Sequence, residues 1–195
     1  METKEIWQNC LKEAQTLLGE FMEAPETWAK LDQFSQKLIG CYESGGRVFT
    51  CGNGGSHCDA MYFAEEMTGR YRKDRRPLGA MALGDASHVT CVTNDYGFEH
   101  IFSRHLEGMA QKGDVLIGLT TSGNSENIME AFKKAEDMEI YTVGLLGKGG
   151  GKTLSMADLA IVVPGSTSDR IQEIHMALLH TVIETIERRL FPENY

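Results

Sequence analysis

The chain has 195 residues, of which 42% are hydrophobic, 8% aromatic and 24% charged, enough for a single domain over residues 1–195 with a full hydrophobic core. Nineteen Lys and Arg against 28 Asp and Glu leave a formal charge of −9, so neither nucleic acid nor a membrane is an expected partner, and any bound phosphate must be held by local groups. No apolar run approaches bilayer length, and five cysteines without a Cys-x-x-Cys pair fit a reducing cytoplasm.

Residues 1–45 carry two helical patterns. In the second, Pro25 marks the start, Trp28, Leu31, Phe34, Leu38, Ile39 and Tyr42 share one face, and Gly45-Gly46 is the stop. Two such helices exceed what one side of a small sheet needs, so part of their surface is expected to pack against a second copy of the chain. Five short, nearly continuous apolar runs follow at Arg47–Cys51, Gly79–Leu83, Val115–Thr120, Tyr141–Leu146 and Leu159–Val163. Such runs predict parallel strands covered on both faces, and the helix-length segments between them predict α/β alternation. The expected fold is a three-layer α/β/α sandwich around a five-stranded parallel sheet.

The first predicted strand runs into Cys51-Gly52-Asn53-Gly54-Gly55-Ser56-His57, a strand, a glycine turn and a helix start. Ser56 is the expected N-cap, and free amides of the first helical turn would face an anion. The turn lacks the lysine of a P-loop and the dinucleotide glycine spacing, so no nucleotide is expected; alone, it also fits an ordinary tight turn. Thr120-Thr121-Ser122-Gly123-Asn124-Ser125 stands in the same relation to the third predicted strand. Hydroxyls beside helix N-terminal amides make a neutral phosphate cradle, although simple N-capping uses the same residues. Both turns fall at C-terminal strand ends, where open α/β sheets bind ligands.

In the helix predicted from Ser56, Ala60, Phe63, Ala64 and Met67 form the buried stripe, while Tyr62 and Glu66 share another face. Glu66 lies nearer the stripe than Glu65, about 15 Å along the axis from Ser56 at ~1.5 Å per residue; pattern alone also fits two solvated glutamates. Arg70–Pro77 is the one dense basic cluster, either a solvated loop or an arm toward an anionic ligand. Thr93–Phe98 reads as a turn carrying Asn94 and Asp95, an Asx turn or a further carboxylate at the strand ends. In the last helix, His175 falls within the apolar stripe of Ile171, Ile174, Leu178, Val182 and Ile186 and reads as a packed core residue. Asp169, Gln172, Met176 and His180 run along the flank of that stripe, a face that is either a site or a solvated edge.

Taken together, CGNGGSHCDA, FAEEMTGRYR, CVTNDYGF, TSGNS and DRIQEIH, in this order, resemble the signature stretches of the sugar isomerase (SIS) family over nearly the whole chain. The likeness is strongest to members acting on a seven-carbon sugar phosphate. It implies a flavodoxin-like or Rossmann-like SIS domain and a homotetramer with active sites at subunit interfaces, to which the N-terminal helices contribute. The implied reaction is aldose–ketose isomerisation of sedoheptulose 7-phosphate to D-glycero-D-manno-heptose 7-phosphate, the first step toward ADP-heptose for lipopolysaccharide cores. By position the resemblance makes Glu66 the general base and His180 the general acid. It places Asn53, Gly54, Gly55, Ser56, Asn94, Asp95, Thr120, Thr121, Ser122, Ser125 and Gln172 on sugar and phosphate contacts, with Glu66, Arg70 and Asp169 completing the pocket. Zinc-binding members carry a histidine four residues before the glutamate. Here that position is Tyr62, which leaves Glu66, Gln172 and His180 as a reduced metal set, and a phenol is a poorer zinc ligand than imidazole at neutral pH. The acid–base chemistry is expected to persist without the ion. Two competing expectations are a non-catalytic SIS regulator or adaptor that binds a sugar phosphate, and an isomerase of another phosphosugar.

Overall fold

Each of the five apolar runs is a strand. In the computed structural model, which describes residues 2–195, helices α1 (Thr3–Glu23) and α2 (Thr27–Glu43) precede β1 (Val48–Gly52) and α3 (Gly55–Thr68). There follow β2 (Ala80–Ala82), α4 (Ala86–Tyr96), α5 (Ile101–Met109), β3 (Val115–Thr120), α6 (Glu126–Asp137), β4 (Tyr141–Gly147), β5 (Leu159–Val163) and α7 (Ser168–Leu190). The sheet is all parallel in the order β2-β1-β3-β4-β5, with Val48 paired to Ala80 on one side and to Val115 on the other. β1 and β3 are buried along their whole length, which is why their sequences do not alternate.

Successive strand residues feed opposite faces of the sheet. Ile117 and Leu119 join Phe34, Leu38, Phe63, Ile174 and Leu178 under α2, α3 and α7. Phe49 and Leu116 join Phe102, Ile128 and Phe132 under α5 and α6. The result is the expected three-layer sandwich. Strand order reverses between β1 and β3, and in open α/β sheets that reversal opens a crevice beyond the carboxyl ends of the strands.

Two local expectations change. Trp28 is 59% exposed, because α2 meets the core through Thr27, Phe34, Leu38, Ile39, Cys41 and Tyr42, so Trp28 sits outside the stripe assigned to it. The segment 93–96 is the end of α4, and the chain turns only at Gly97, whose φ is 101°. α1 is apolar on two faces: Leu17 and Phe21 are buried in the core, while Trp7, Leu11, Leu18 and Met22, spaced four, seven and four apart, are exposed. Among the described residues no helix is long and apolar enough to cross a membrane.

Candidate active site

The loops after β1 and β3 meet across the crevice. Asn53 and Asn127 exchange reciprocal amide hydrogen bonds of 2.9 and 2.8 Å, joining the start of α3 to the first turn of α6. In the β1 loop the N-cap of α3 is Gly54, with φ 55° and no side-chain cap, instead of Ser56; only a residue without Cβ adopts that turn cheaply. Ser56 is a buried residue of the first turn. Its N–H donates to Asn53 O at 3.1 Å and that of His57 to Gly54 O at 3.0 Å, so these two amides close the turn locally.

Hydroxyls gather in the β3 loop. Thr120 Oγ1 lies 3.0 Å from Ser125 Oγ and 3.3 Å from Ser122 Oγ, and Thr121 Oγ1 donates to Ser168 Oγ at 3.1 Å. Ser125 occupies the N-cap of α6 but makes no side-chain cap bond, so its hydroxyl is turned to Thr120 and the capping alternative falls away. The loop is pinned from the other side, because Gly123 O accepts from Thr153 N and Oγ1 at 2.9 and 2.8 Å. Lys148, with φ 49°, brings its ammonium to Ser168 Oγ at 3.3 Å. Through Ser168 it is linked to Thr121 of the β3 loop.

The residues expected to act as base and acid, Glu66 and His180, lie where α3 packs on α7. Gln172 rests so closely on Gly55 that an added Cβ would strike its amide, and its Nε2 donates to Asp59 Oδ1 at 3.0 Å. Asp59 is 2% exposed with Oδ2 unpartnered, and burial pushes its pKa up against the opposing effect of the Gln172 bond. Two turns farther along α7, His180 Nε2 is 2.9 Å from Tyr62 OH, one helical turn before Glu66 on α3. Burial first, then the neighbouring Glu66, raise the phenol's pKa, so it stays protonated at neutral pH. The Tyr71 ring stacks on His180 with centroids 6.1 Å apart.

Other candidates lie apart. Asn94 Nδ2 donates to Asp95 Oδ1 at 2.7 Å, and both residues are exposed on the last turn of α4. Asp169 is exposed and pairs with Arg170 at 3.3 Å. Arg70 is exposed, and its Nη1 donates to the Arg72 carbonyl at 3.4 Å. Within the basic cluster Arg75 turns inward onto Glu187, so the arm toward a ligand is not what this residue forms. His175 is buried, as the helical wheel predicts. Sequence reading missed Asp59, Asn127, Lys148 and Ser168. A signal existed for Lys148 in the glycine-rich run 147–151 that follows β4, a third strand-to-glycine junction.

The SIS domain pattern matches residues 11–147. Phosphoheptose isomerase of Fusobacterium nucleatum is 53% identical over 179 residues, covering 92% of this chain and 92% of that protein. Among solved structures, phosphoheptose isomerase from Francisella tularensis superposes with a TM-score of 0.91 at 32% identity, covering 96% of this chain and 100% of that one. The Neisseria gonorrhoeae phosphoheptose isomerase gives 0.89 at 35% identity, covering 95% of this chain and 99% of that one. The chain belongs to the phosphoheptose isomerases of the SIS domain family.

The zinc set implied for this isomerase family fits the chain poorly. The phenol of Tyr62 stands in place of the imidazole and itself occupies His180 Nε2, while Gln172 is spent on Asp59. No group of three or more His, Cys, Asp or Glu converges among the described residues. A neutral phenol with a raised pKa gives up its proton to a metal less readily still.

Proposed function

We propose that the chain isomerises sedoheptulose 7-phosphate to D-glycero-D-manno-heptose 7-phosphate through an enediolate, with Glu66 as base and His180 as acid. Glu66 removes a proton from C1 of the open-chain ketose, the C–H electrons form the C1–C2 double bond, and the carbonyl oxygen takes a proton from His180. The return step delivers the proton held by Glu66 to C2, while O1 gives its proton back to His180 and C1 becomes the carbonyl. Atoms and charges balance, and no external oxidant is needed. The hydroxyls of Thr120, Thr121, Ser122 and Ser125, with Lys148 and the α3 turn at Asn53–Ser56, hold the phosphate and fix C1 and C2 by binding energy far from the reacting carbons. Asn94, Asp95, Arg70 and Asp169 lie apart from the pair within one chain and in this reading reach the sugar only across a subunit interface, while Gln172, beside Gly55, borders it.

One observation carries this reading: the His180 imidazole reaches Tyr62, one helical turn from Glu66 on the same side of α3, within one chain. Proximity of the two groups is what a two-group proton transfer requires. Glu66→Gln is expected to bind the ketose phosphate with affinity near wild type by calorimetry. It is also expected to lose about 100-fold or more of solvent-deuterium incorporation at C1 and C2. Undiminished exchange in that variant removes Glu66 from the mechanism.

The finer reading extends to assembly and setting. The outer stripe of α1 with Trp28 supports a homotetramer whose subunit interfaces close the sites. The five free cysteines suit a reducing cytoplasm, and the product suits the first step toward ADP-heptose and lipopolysaccharide. No zinc-dependent step is included, because the donor set is incomplete.

A further inference from the structure

Two imidazoles fasten the start of α4 to α5. Gly84, buried just past β2 with φ 97°, donates its N–H to His105 Nδ1 on α5 at 2.9 Å. A backbone N–H only donates, so Nδ1 carries no proton and the proton of this neutral ring sits on Nε2. On α4, His88 places Nε2 2.9 Å from Ile101 O. A carbonyl only accepts, so that nitrogen is the protonated one. The two rings stack with centroids 4.3 Å apart at 27°. Beside them Asp85 caps α4, its Oδ1 accepting from the Ser87 and His88 amides at 3.0 and 3.1 Å. Apolar burial adds little, because of the 11 residues of α4 only Val92 is buried.

A proton affects the two rings differently. His88 can take one on Nδ1 and still donate from Nε2. His105 cannot, because a proton on Nδ1 meets the Gly84 N–H and leaves that buried donor without an acceptor. We propose that His105 is an acid-sensitive latch: neutral, it holds the start of α4 on α5, and protonated, it releases Gly84 and loosens α4, so that turnover falls in acid. Asn94 and Asp95 ride on the last turn of this helix. Their part in turnover rests on the isomerase reading above; the latch itself does not. Burial first and His88 second push the His105 pKa below 6.5, against the opposing Asp85 charge. The latch is therefore whole above pH 6.5 and is lost as pH falls from there through the lowered value. Charges on the other elements around α5 are turned elsewhere. Lys134 of α6 pairs with Glu107 at 3.0 Å and Lys133 with Glu130, and Asp137 lines a groove with His100 and Arg104 to which His105 does not belong. Glu99 lies 3.9 Å from His100, Arg104 covers the Tyr96 ring, and His57 of α3 stacks on Phe102.

The test compares the purified full chain at pH 7 and pH 5. In wild type labelled with nitrogen-15 histidine, two-bond correlations of His105 are expected to report an unprotonated Nδ1 at pH 7. Hydrogen–deuterium exchange over residues 84–92, corrected for the intrinsic effect of pH, is expected to quicken about 10-fold at pH 5, beyond any change in α7. His105→Asn puts a carbonyl oxygen that does not titrate where Nδ1 stood, and its exchange should be alike at the two pH values. His105→Phe has no acceptor there and should exchange fast at both. Melting temperatures at pH 7 check that the variants fold. With sedoheptulose 7-phosphate, the ratio of kcat/KM at pH 5 to that at pH 7 is expected to be about threefold higher in His105→Asn than in wild type. A protonated Nδ1 at pH 7, exchange over 84–92 that ignores pH in wild type, or equal pH responses of exchange or activity in wild type and His105→Asn would each overturn the proposal. If the exchange responds as expected while wild type isomerises nothing at either pH, the latch stands and the isomerase reading falls.

Discussion

His175 and His180 stand on one helix, five residues apart, in opposite chemical settings. His175 is fully buried and its Nε2 donates to Leu146 O at 3.0 Å, a carbonyl that can only accept, while Nδ1 has no partner. Burial lowers its pKa from 6.5 to about 4. The folded chain therefore keeps this ring neutral where the unfolded chain binds a proton, so its contribution is intact above pH 6.5 and is lost as pH falls toward 4. Between pH 7 and pH 5 this one group is expected to cost about 2 kcal/mol. Urea denaturation at the two values checks it, with His57 and His105, also pushed down by burial, tilting the curve the same way. His175→Gln should flatten the difference by that amount; an unchanged difference would refute the assignment. The 3.6-residue period of α7 is visible in the chain, so the contrast between the two histidines was legible. The phenol opposite His180 was not, because nothing local to either segment says that α3 and α7 meet at that level.

At the scale of elements, the end of α3 depends on a residue that composition alone cannot single out. Arg75 is one of four arginines in RYRKDRRP. Its side chain is fully buried: Nη1 donates to Met67 O at 2.8 Å, Nη2 to Glu66 O at 2.7 Å, and Nε to Glu187 Oε1 at 2.7 Å. A cation there meets the negative end of the helix and its unpaired carbonyls. Glu187, 1% exposed, also accepts from Tyr195 OH at 2.8 Å and from the Tyr71 and Arg72 amides at 3.4 Å. Burial alone would raise its pKa, but the bonds from Tyr195 and Arg75 outweigh it and hold it low. Arg75→Met leaves a carboxylate buried without its cation and is expected to cost about 3–5 kcal/mol. Arg75→Met with Glu187→Leu should recover most of that in urea titrations. A loss below about 1 kcal/mol in the single variant would show the pair to be dispensable. The loop's basic character was legible; which arginine turns inward depends on a glutamate 112 residues away.

For the whole molecule, the outer stripe of α1, Trp7, Leu11, Leu18 and Met22, is exposed, and in the proposed tetramer a second copy covers it. Trp7→Glu with Leu11→Glu is expected to shift the assembly to smaller species in sedimentation velocity and to lower activity in parallel. A monomeric wild-type chain with full activity would break the link between assembly and catalysis. The chain by itself determined the order of helices and strands, the loops after β1 and β3 and the buried stripes of α3 and α7, because periodicity and glycine punctuation act over a few residues. Only the tertiary structure decided that Asn53 faces Asn127, that Arg75 reaches Glu187, and that Tyr62 joins His180 across 118 residues. Those contacts arise from strand order and from which helix faces pack together, and a local pattern of side chains carries no information about either.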